Sequence, residues 1–379
     1  MFSLRQHTIF LTLAGSHAHG TAREGSDVDL RGVCVAPLSV RLSPFTTFEQ
    51  YEGLLEGDLA AWALPRLQAH PTAARGLDAK AECVVFEIAK FVRLCAGANP
   101  NALEILFADE RDWVLESPAW RRLHGERHRF LTRKVLQTFS GYALAQLKKI
   151  QTHRSWLLHP PTAKPCREDF GLPAPGATLS RDDQNRIELS IAEKLRSYGM
   201  DDIDMPKAAR IALQERMAAF YRDALSVADD PSEARMRLVA TGAMNLPAEV
   251  VAALNAEKKY RAAMKHWESY QTWKNQRNPV RAELERRHGY DTKHAMHLIR
   301  LMRMGLEALQ HGELLVRRQD ADELSAIRDG ALSFDALLAS AARLQQELEQ
   351  AAATTTLPQD VDPAHVEEIA VALMREASE

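Results

Sequence analysis

Two groups of residues near the start of the chain have the types and spacing to act on a phosphate: Gly15-Ser16-His17-Ala18-His19-Gly20-Thr21, then Ser26-Asp27-Val28-Asp29-Leu30-Arg31-Gly32. In an extended strand, residues two apart project from one face, so Asp27 and Asp29 are spaced to share a cation. Carboxylate oxygens suit a hard divalent ion, Mg²⁺ or Mn²⁺, particularly where the phosphates of a nucleotide complete the coordination shell. Gly15 lets the backbone approach an anion, Ser16 adds a hydroxyl where a short helix could start, and amide groups there would hold a triphosphate. Arg31 falls on the same strand face as the aspartates, where it could contact phosphate or balance their charge. Together these residues outline a nucleotidyl-transfer site. Two ions on the carboxylates would polarise an α-phosphate, activate an attacking hydroxyl and neutralise the departing pyrophosphate. His17 and His19, with no cysteine or third histidine nearby, read as helix-end surface or loop residues rather than metal ligands.

Such a site needs two strands to bring loop and carboxylates together. The β-rich run Thr8 to Ala14 predicts a buried strand feeding directly into Gly15-Ser16, residues 20–26 form a polar turn, and the valine-rich stretch from Asp27 to Ala36 resumes as a strand. Arg5 ahead of that first apolar run imitates a weak signal peptide, but the run is at the short limit for one and already serves as the strand behind the phosphate loop.

Gly-Ser, a short spacer and then Asp-x-Asp resembles the polymerase-β superfamily of nucleotidyltransferases. Within it, the chain is similar to the bacterial and phage RNA-ligase-associated polymerase-β-like group. The similarity rests on Gly-Ser-x-Ala-x-Gly-Thr, on Ser-Asp-x-Asp-x-Arg-Gly, on Phe86-Glu87-Ile88-Ala89-Lys90-Phe91 and on Asn99-Pro100-Asn101-Ala102-Leu103-Glu104. The later run from Gly289-Tyr290-Asp291-Thr292-Lys293-His294 to His297 and Arg300 also resembles that group. The resemblance implies metal-dependent transfer of a nucleoside monophosphate from a triphosphate, with Asp27 and Asp29 as metal ligands. It also implies a third carboxylate on a later strand that helps activate the acceptor hydroxyl. Relatives carry aspartate where this strand begins, so Glu82 is the matching residue and a departure from the pattern. Glu87 is the alternative, at a strand-to-helix junction where a carboxylate also opposes the helix macrodipole.

The rest of the chain reads as mostly helical. Asn99 and Pro100 predict a helix start, and a helix-period stripe runs from Phe130 to Leu147. A proline-broken segment from His153 through Trp156 to Gly171 mixes basic and aromatic groups, as does the stretch from Lys258 through Trp267, Tyr270 and Trp273 to Arg281. Residues 179–226 return to helical periodicity, and Asp229-Asp230-Pro231-Ser232 predicts a break. Lys293, His297 and Arg300 are spaced four and three apart, which puts them on one helix face. That face is expected to be positive, to open toward Gly15-Ser16, and to have Trp156 or Tyr290 close enough to support a base. Zinc binding by His294 and His297 lacks an identifiable third ligand. Helices are expected from Phe334 to Gln350 and again from Asp362-Pro363, with residues 351–358 as a linker.

The expected fold class is α+β: a small mixed-sheet nucleotidyltransferase domain over residues 1–112, then a mainly α-helical acceptor and nucleotide-binding region over 113–379 with a helical tail at about 334–379. A net charge of −3 gives no global basic signature, so any nucleic-acid surface must be local. Four scattered cysteines, without a Cys-x-x-Cys pair, favour free thiols in a reducing compartment. No segment approaches the length of apolar chain that spans a bilayer, and cytoplasm is the expected location. The expected substrates are an NTP, with ATP foremost, and an RNA hydroxyl, with tRNA or a broken RNA end as candidate acceptors. The alternatives are nucleotidylation of a protein or small molecule, or a catalytically weak nucleotide-sensing or RNA-binding module.

Overall fold

The computed structural model describes residues 2–71, 73, 81–172, 181–199, 207–225 and 248–376. They pack as two compact units, one formed by residues 1–158 and 279–379 and the other by residues 159–278.

The first unit is built on a five-stranded mixed sheet: β1 (Thr8–Leu13), β2 (Asp29–Cys34), β3 (Gln50–Leu54), β4 (Glu82–Glu87) and β5 (Trp113–Glu116), in the order β3-β4-β2-β1-β5. Strand β2 runs parallel to β4, and the other neighbours are antiparallel. Every residue of β1 is buried, Thr8 and Thr12 included, as befits a strand paired on both edges and covered on both faces. Short helices α1 (Leu4–His7), α2 (Gly15–His19) and α3 (Leu38–Arg41) punctuate the strands, and α4 (Gly57–Ala69) links β3 to β4.

Side-chain alternation divides the sheet into two faces. Leu11, Leu13, Leu30, Cys83 and Val85 pack with Leu59, Ala63 and Leu67 of α4. Phe10 and Val33, on the other face, join the larger core. That core includes α5 (Ile88–Ala96), α6 (Pro100–Leu106), α7 (Pro118–Gly125) and α8 (Lys134–Leu158). Asn99 caps α6, its Oδ1 accepting from Asn101 N and Ala102 N, and Pro100 occupies the first turn as the sequence predicts.

Unit two contains α9 (Arg181–Ser197), α10 (Lys207–Leu225) and α11 (Ala248–Gln276). Arg167 pairs with Glu257 at 2.8 Å and Phe170 meets Tyr260 edge-on. Trp267, Tyr270 and Trp273 recur every third residue of α11, with neighbouring rings about 6 Å apart, so these aromatics pack on one another along the helix.

The chain returns to the first unit with α12 (Pro279–His288), α13 (Thr292–His311), α14 (Ala321–Arg328), α15 (Phe334–Thr354) and α16 (Pro363–Glu376). Helix α13 lies between α8 and α15. Gly305 makes the approach possible, because a Cβ there would already sit 3.0 Å from Phe139 of α8 and 3.3 Å from Leu348 of α15.

The α+β class holds, with one mixed sheet and a mostly helical remainder. Other expectations need correction. Residues 153–158 are the last turns of α8 rather than a loop, because no proline appears before Pro160 to break the ladder. Residues 351–354 likewise finish α15, which shortens the linker. Strand β5, just after residue 112, pairs with β1, and the compact units divide at residues 158 and 279. Neither β3 nor α4 is anticipated by the sequence reading. The expected break at Asp229-Asp230-Pro231-Ser232 lies outside the described residues. Among the described residues no helix is long and apolar enough to cross a membrane.

Candidate active site

Asp29 opens β2, half-buried, and Asp27 lies two residues earlier, exposed and just ahead of the strand. The turn from β1 into α2 closes over Asp29. Ala14 N donates to Asp29 O at 2.8 Å, and Gly15 follows with φ +58°. Any Cβ at residue 15 would collide with Asp29 Oδ2, so glycine is needed here for space as well as for backbone conformation. Helix α2 begins at Gly15 with no side-chain cap from Ala14, and Ser16 stands in its first turn. Arg31 sits beside Asp29, with its guanidinium 4.0 Å from Asp29 Oδ1 and bonded to the Leu30 carbonyl at 2.9 Å.

Glu82, the first residue of β4, is the register partner of Asp29. Register partners in adjacent strands project from the same face, so Glu82 stands on the Asp29 side of the sheet at its exposed end. Glu87 is the partner of Cys34 at the opposite end of the ladder and on the other face. Its Oε2 accepts from Ala89 N at 2.6 Å, capping α5, and burial pushes its carboxyl above the usual range. That is the structural role open to a junction carboxylate.

A cavity of about 350 Å³ opens on the Asp29 face, lined among others by Gly15, Asp29, Arg31, Phe86, His297 and Arg300. Helix α13 therefore reaches the carboxylates, but not as a uniformly positive face. Lys293 is half-buried. Burial, Arg281 and Arg328 lower its pKa against the pull of Asp29 and Asp27, which places its ammonium in the field of both carboxylates. His297 is held neutral: burial first, then Arg300 and His19, push its pKa down to about 2. Arg300 is buried and committed to Glu104 of α6. Glu104 also accepts from His19 at 3.1 Å. Burial opposes its ionisation, but Arg300 and His19 outweigh that and hold its carboxyl well below the ordinary range.

The sequence reading missed Glu104, which shares the cavity wall with Asn101 three residues earlier, one face of α6. Gln50 and Glu52 of β3 also line the cavity, two apart on one strand face. The latter pair is a period-two signal in a segment to which no strand was assigned.

Three further expectations change. His17 and His19 are buried within α2, not on the surface. Tyr290 is fully buried and its hydroxyl donates to Leu332 O at 2.7 Å, so it serves the core and not a base. Trp156 stacks on His153 and is not among the residues that line the cavity.

Glu82 is in register with Asp29, and Asp27 lies two residues ahead of it, but among the described residues the oxygens of these three carboxylates do not all lie within 4.8 Å of one another; oxygen donors are of the type that suits a hard divalent ion. A mixed sheet with Asp-x-Asp beside a Gly-Ser turn is the arrangement that the resemblance to polymerase-β-like nucleotidyltransferases implies. Residues 3–157 match the model of the RNA repair pathway DNA polymerase beta family, which supports a polymerase-β-like nucleotidyltransferase of the RNA-repair group. No curated protein and no solved structure matches the chain.

Proposed function

We propose that the protein transfers a nucleoside monophosphate from an NTP, ATP foremost, to a hydroxyl of RNA, as an RNA end-modification or repair step. The observation that carries this reading is the fit of Gly15 against Asp29, with Glu82 in register beside it and Lys293 in the field of both aspartates. An RNA oxygen attacks the α-phosphorus, the bond to the β-phosphate oxygen breaks, and pyrophosphate leaves. The acceptor proton is released.

Asp27, Asp29 and Glu82 would hold the divalent ions, Mg²⁺ or Mn²⁺. When bound, such ions polarise the α-phosphate and offset the charge of pyrophosphate. Glu82 orients the acceptor hydroxyl and favours its deprotonation. Gly15 and Ser16 offer backbone amides and a hydroxyl to the triphosphate. Lys293, with Arg281 and Arg328 nearby, supplies the cationic field for phosphate, and Arg31 stands ready beside Asp29. His297 and Arg300 shape the cavity wall, the first as a neutral group and the second as a clamp on Glu104.

The test is incubation of purified protein with each labelled NTP, Mg²⁺ or Mn²⁺, and cellular RNA or protein extract. Label that survives protease and is lost to ribonuclease supports transfer to RNA. The reverse pattern supports protein modification, and binding of NTP without covalent label supports a nucleotide sensor.

A further inference from the structure

Away from the carboxylates, the first unit brings together His153 of α8, Asp291 at the N-terminus of α13, and His294 in its first turn. One ligand atom from each lies within 4.8 Å of the other two. We propose that these three side chains form a transition-metal site, selective for Zn²⁺ over Mg²⁺, that ties α8 to the start of α13. The proposal is independent of the nucleotidyl-transfer reading.

Two imidazoles and one carboxylate form a borderline N₂O donor set, which suits zinc and is poor for magnesium. Ligand atoms about 2.0–2.2 Å from a tetrahedral zinc lie roughly 3.3 Å apart. His294 Nδ1 and Asp291 Oδ2 are already 3.6 Å apart, and the rings of His153 and His294 are 5.7 Å apart between centroids. The gap that remains, from within 4.8 Å to roughly 3.3 Å, is on the scale of a side-chain rotation.

The supporting bonds are in place. Asp291 Oδ1 accepts from His294 N at 3.0 Å, which caps α13 and leaves Oδ2 turned toward His294. Arg154, next to His153, donates to Gly289 O at 2.7 Å and fixes the end of α8 to the turn before Asp291. Thr292 Oγ1 donates to Arg328 O at 2.7 Å and fixes the other side of that turn. Such outer contacts orient metal ligands before the ion arrives. Asp291 is buried and both histidines are half-buried, and three protein ligands leave a fourth position for water or another oxygen. Lys293 adjoins His294, so an ion here would also fix the backbone that carries Lys293 into the field of Asp27 and Asp29.

The experiment is equilibration of the full-length protein with Zn²⁺ in excess Mg²⁺, removal of unbound metal, and determination of zinc per chain. Co²⁺ substitution reads the geometry. One zinc per chain is expected, with visible d–d bands for Co²⁺ and no thiolate charge-transfer band. His153→Ala and His294→Ala should lose the zinc. Asp291→Asn, which retains a helix-capping side chain, should weaken it. Asp27→Asn with Asp29→Asn should leave zinc content unchanged. Absence of zinc from folded wild-type protein, a cobalt–thiolate band, or retention of zinc in both folded histidine variants would each overturn the site. Should those variants fail to fold, the wild-type zinc content and cobalt spectrum decide. Zinc content is read without nucleotide transfer, so failure of this site and failure of the proposed activity are distinguishable.

Discussion

Gly15 and Asp29 approach so closely that a Cβ on residue 15 would collide with Asp29 Oδ2. The Gly-Ser turn and strand β2 are therefore a single steric unit. Gly15→Ala should force Asp29 aside and strain a backbone held at φ +58°. A misplacement of this kind near reacting groups costs on the order of 100-fold in rate. The turnover of the alanine variant, beside its circular dichroism and melting temperature, checks this; normal turnover would separate loop from chemistry.

Asp27→Ala or Asp29→Ala should each reduce transfer by at least about 100-fold with the fold intact, since the divalent ions that would offset the developing charge lose a ligand. A double variant with normal transfer would remove the mechanism.

Glu82 and Glu87 should separate cleanly. Glu82→Gln is expected to suppress transfer far more than NTP binding, because Glu82 is in register with Asp29. Glu87→Ala deletes the cap of α5 and should cost about 1 kcal/mol of stability with transfer retained per folded molecule. Parallel transfer assays and thermal melts on the two variants would reverse the assignment if the losses were exchanged.

The cations of α13 should also part company. Lys293→Ala should weaken NTP or RNA binding and lower the salt slope by about one, as loss of one phosphate contact does. Arg300→Ala should instead destabilise the fold by about 3–5 kcal/mol, because buried Glu104 loses its principal partner. Adding Glu104→Gln to Arg300→Ala should recover part of that loss in a melting experiment. Equal salt-dependent affinity losses from both single variants would restore a simple positive face.

Acid should weaken the protein in two stages. His297 and His294, with pKa values lowered to about 2 and about 4, bind fewer protons folded than unfolded. The stability from keeping them neutral is present above about pH 6.5 and is lost as pH falls below it. Glu104, also depressed, contributes above the ordinary glutamate range, and that contribution goes as pH falls through its folded pKa. Melting temperatures from pH 8 to pH 4 should decline from near pH 6.5, less steeply in His297→Gln. A flat profile over that interval would contradict the burial of neutral imidazoles.

What the sequence alone determined is local structure: a strand, a Gly-Ser turn, and a second strand that Asp29 opens, with Asp27 two residues ahead of it. Such a pattern is legible because period-two alternation and glycine's backbone freedom act within a few residues. Family resemblance brought Glu82 and the Lys293-to-Arg300 helix into view, and Asn99-Pro100 announced α6 by capping alone. Charge states were decided elsewhere. Arg300 and Glu104 meet across nearly two hundred positions of chain, and only that pairing turns an expected phosphate cation into a clamp. His297 is neutral because burial and two neighbouring cationic or imidazole groups surround it, which no helical spacing encodes. His153, Asp291 and His294 converge because α13 packs against α8, which joins His294 to a residue of a distant helix rather than to His297, its neighbour in the helical spacing. Spacing specifies which side chains can share a face; tertiary packing decides which of them remain charged and what they touch.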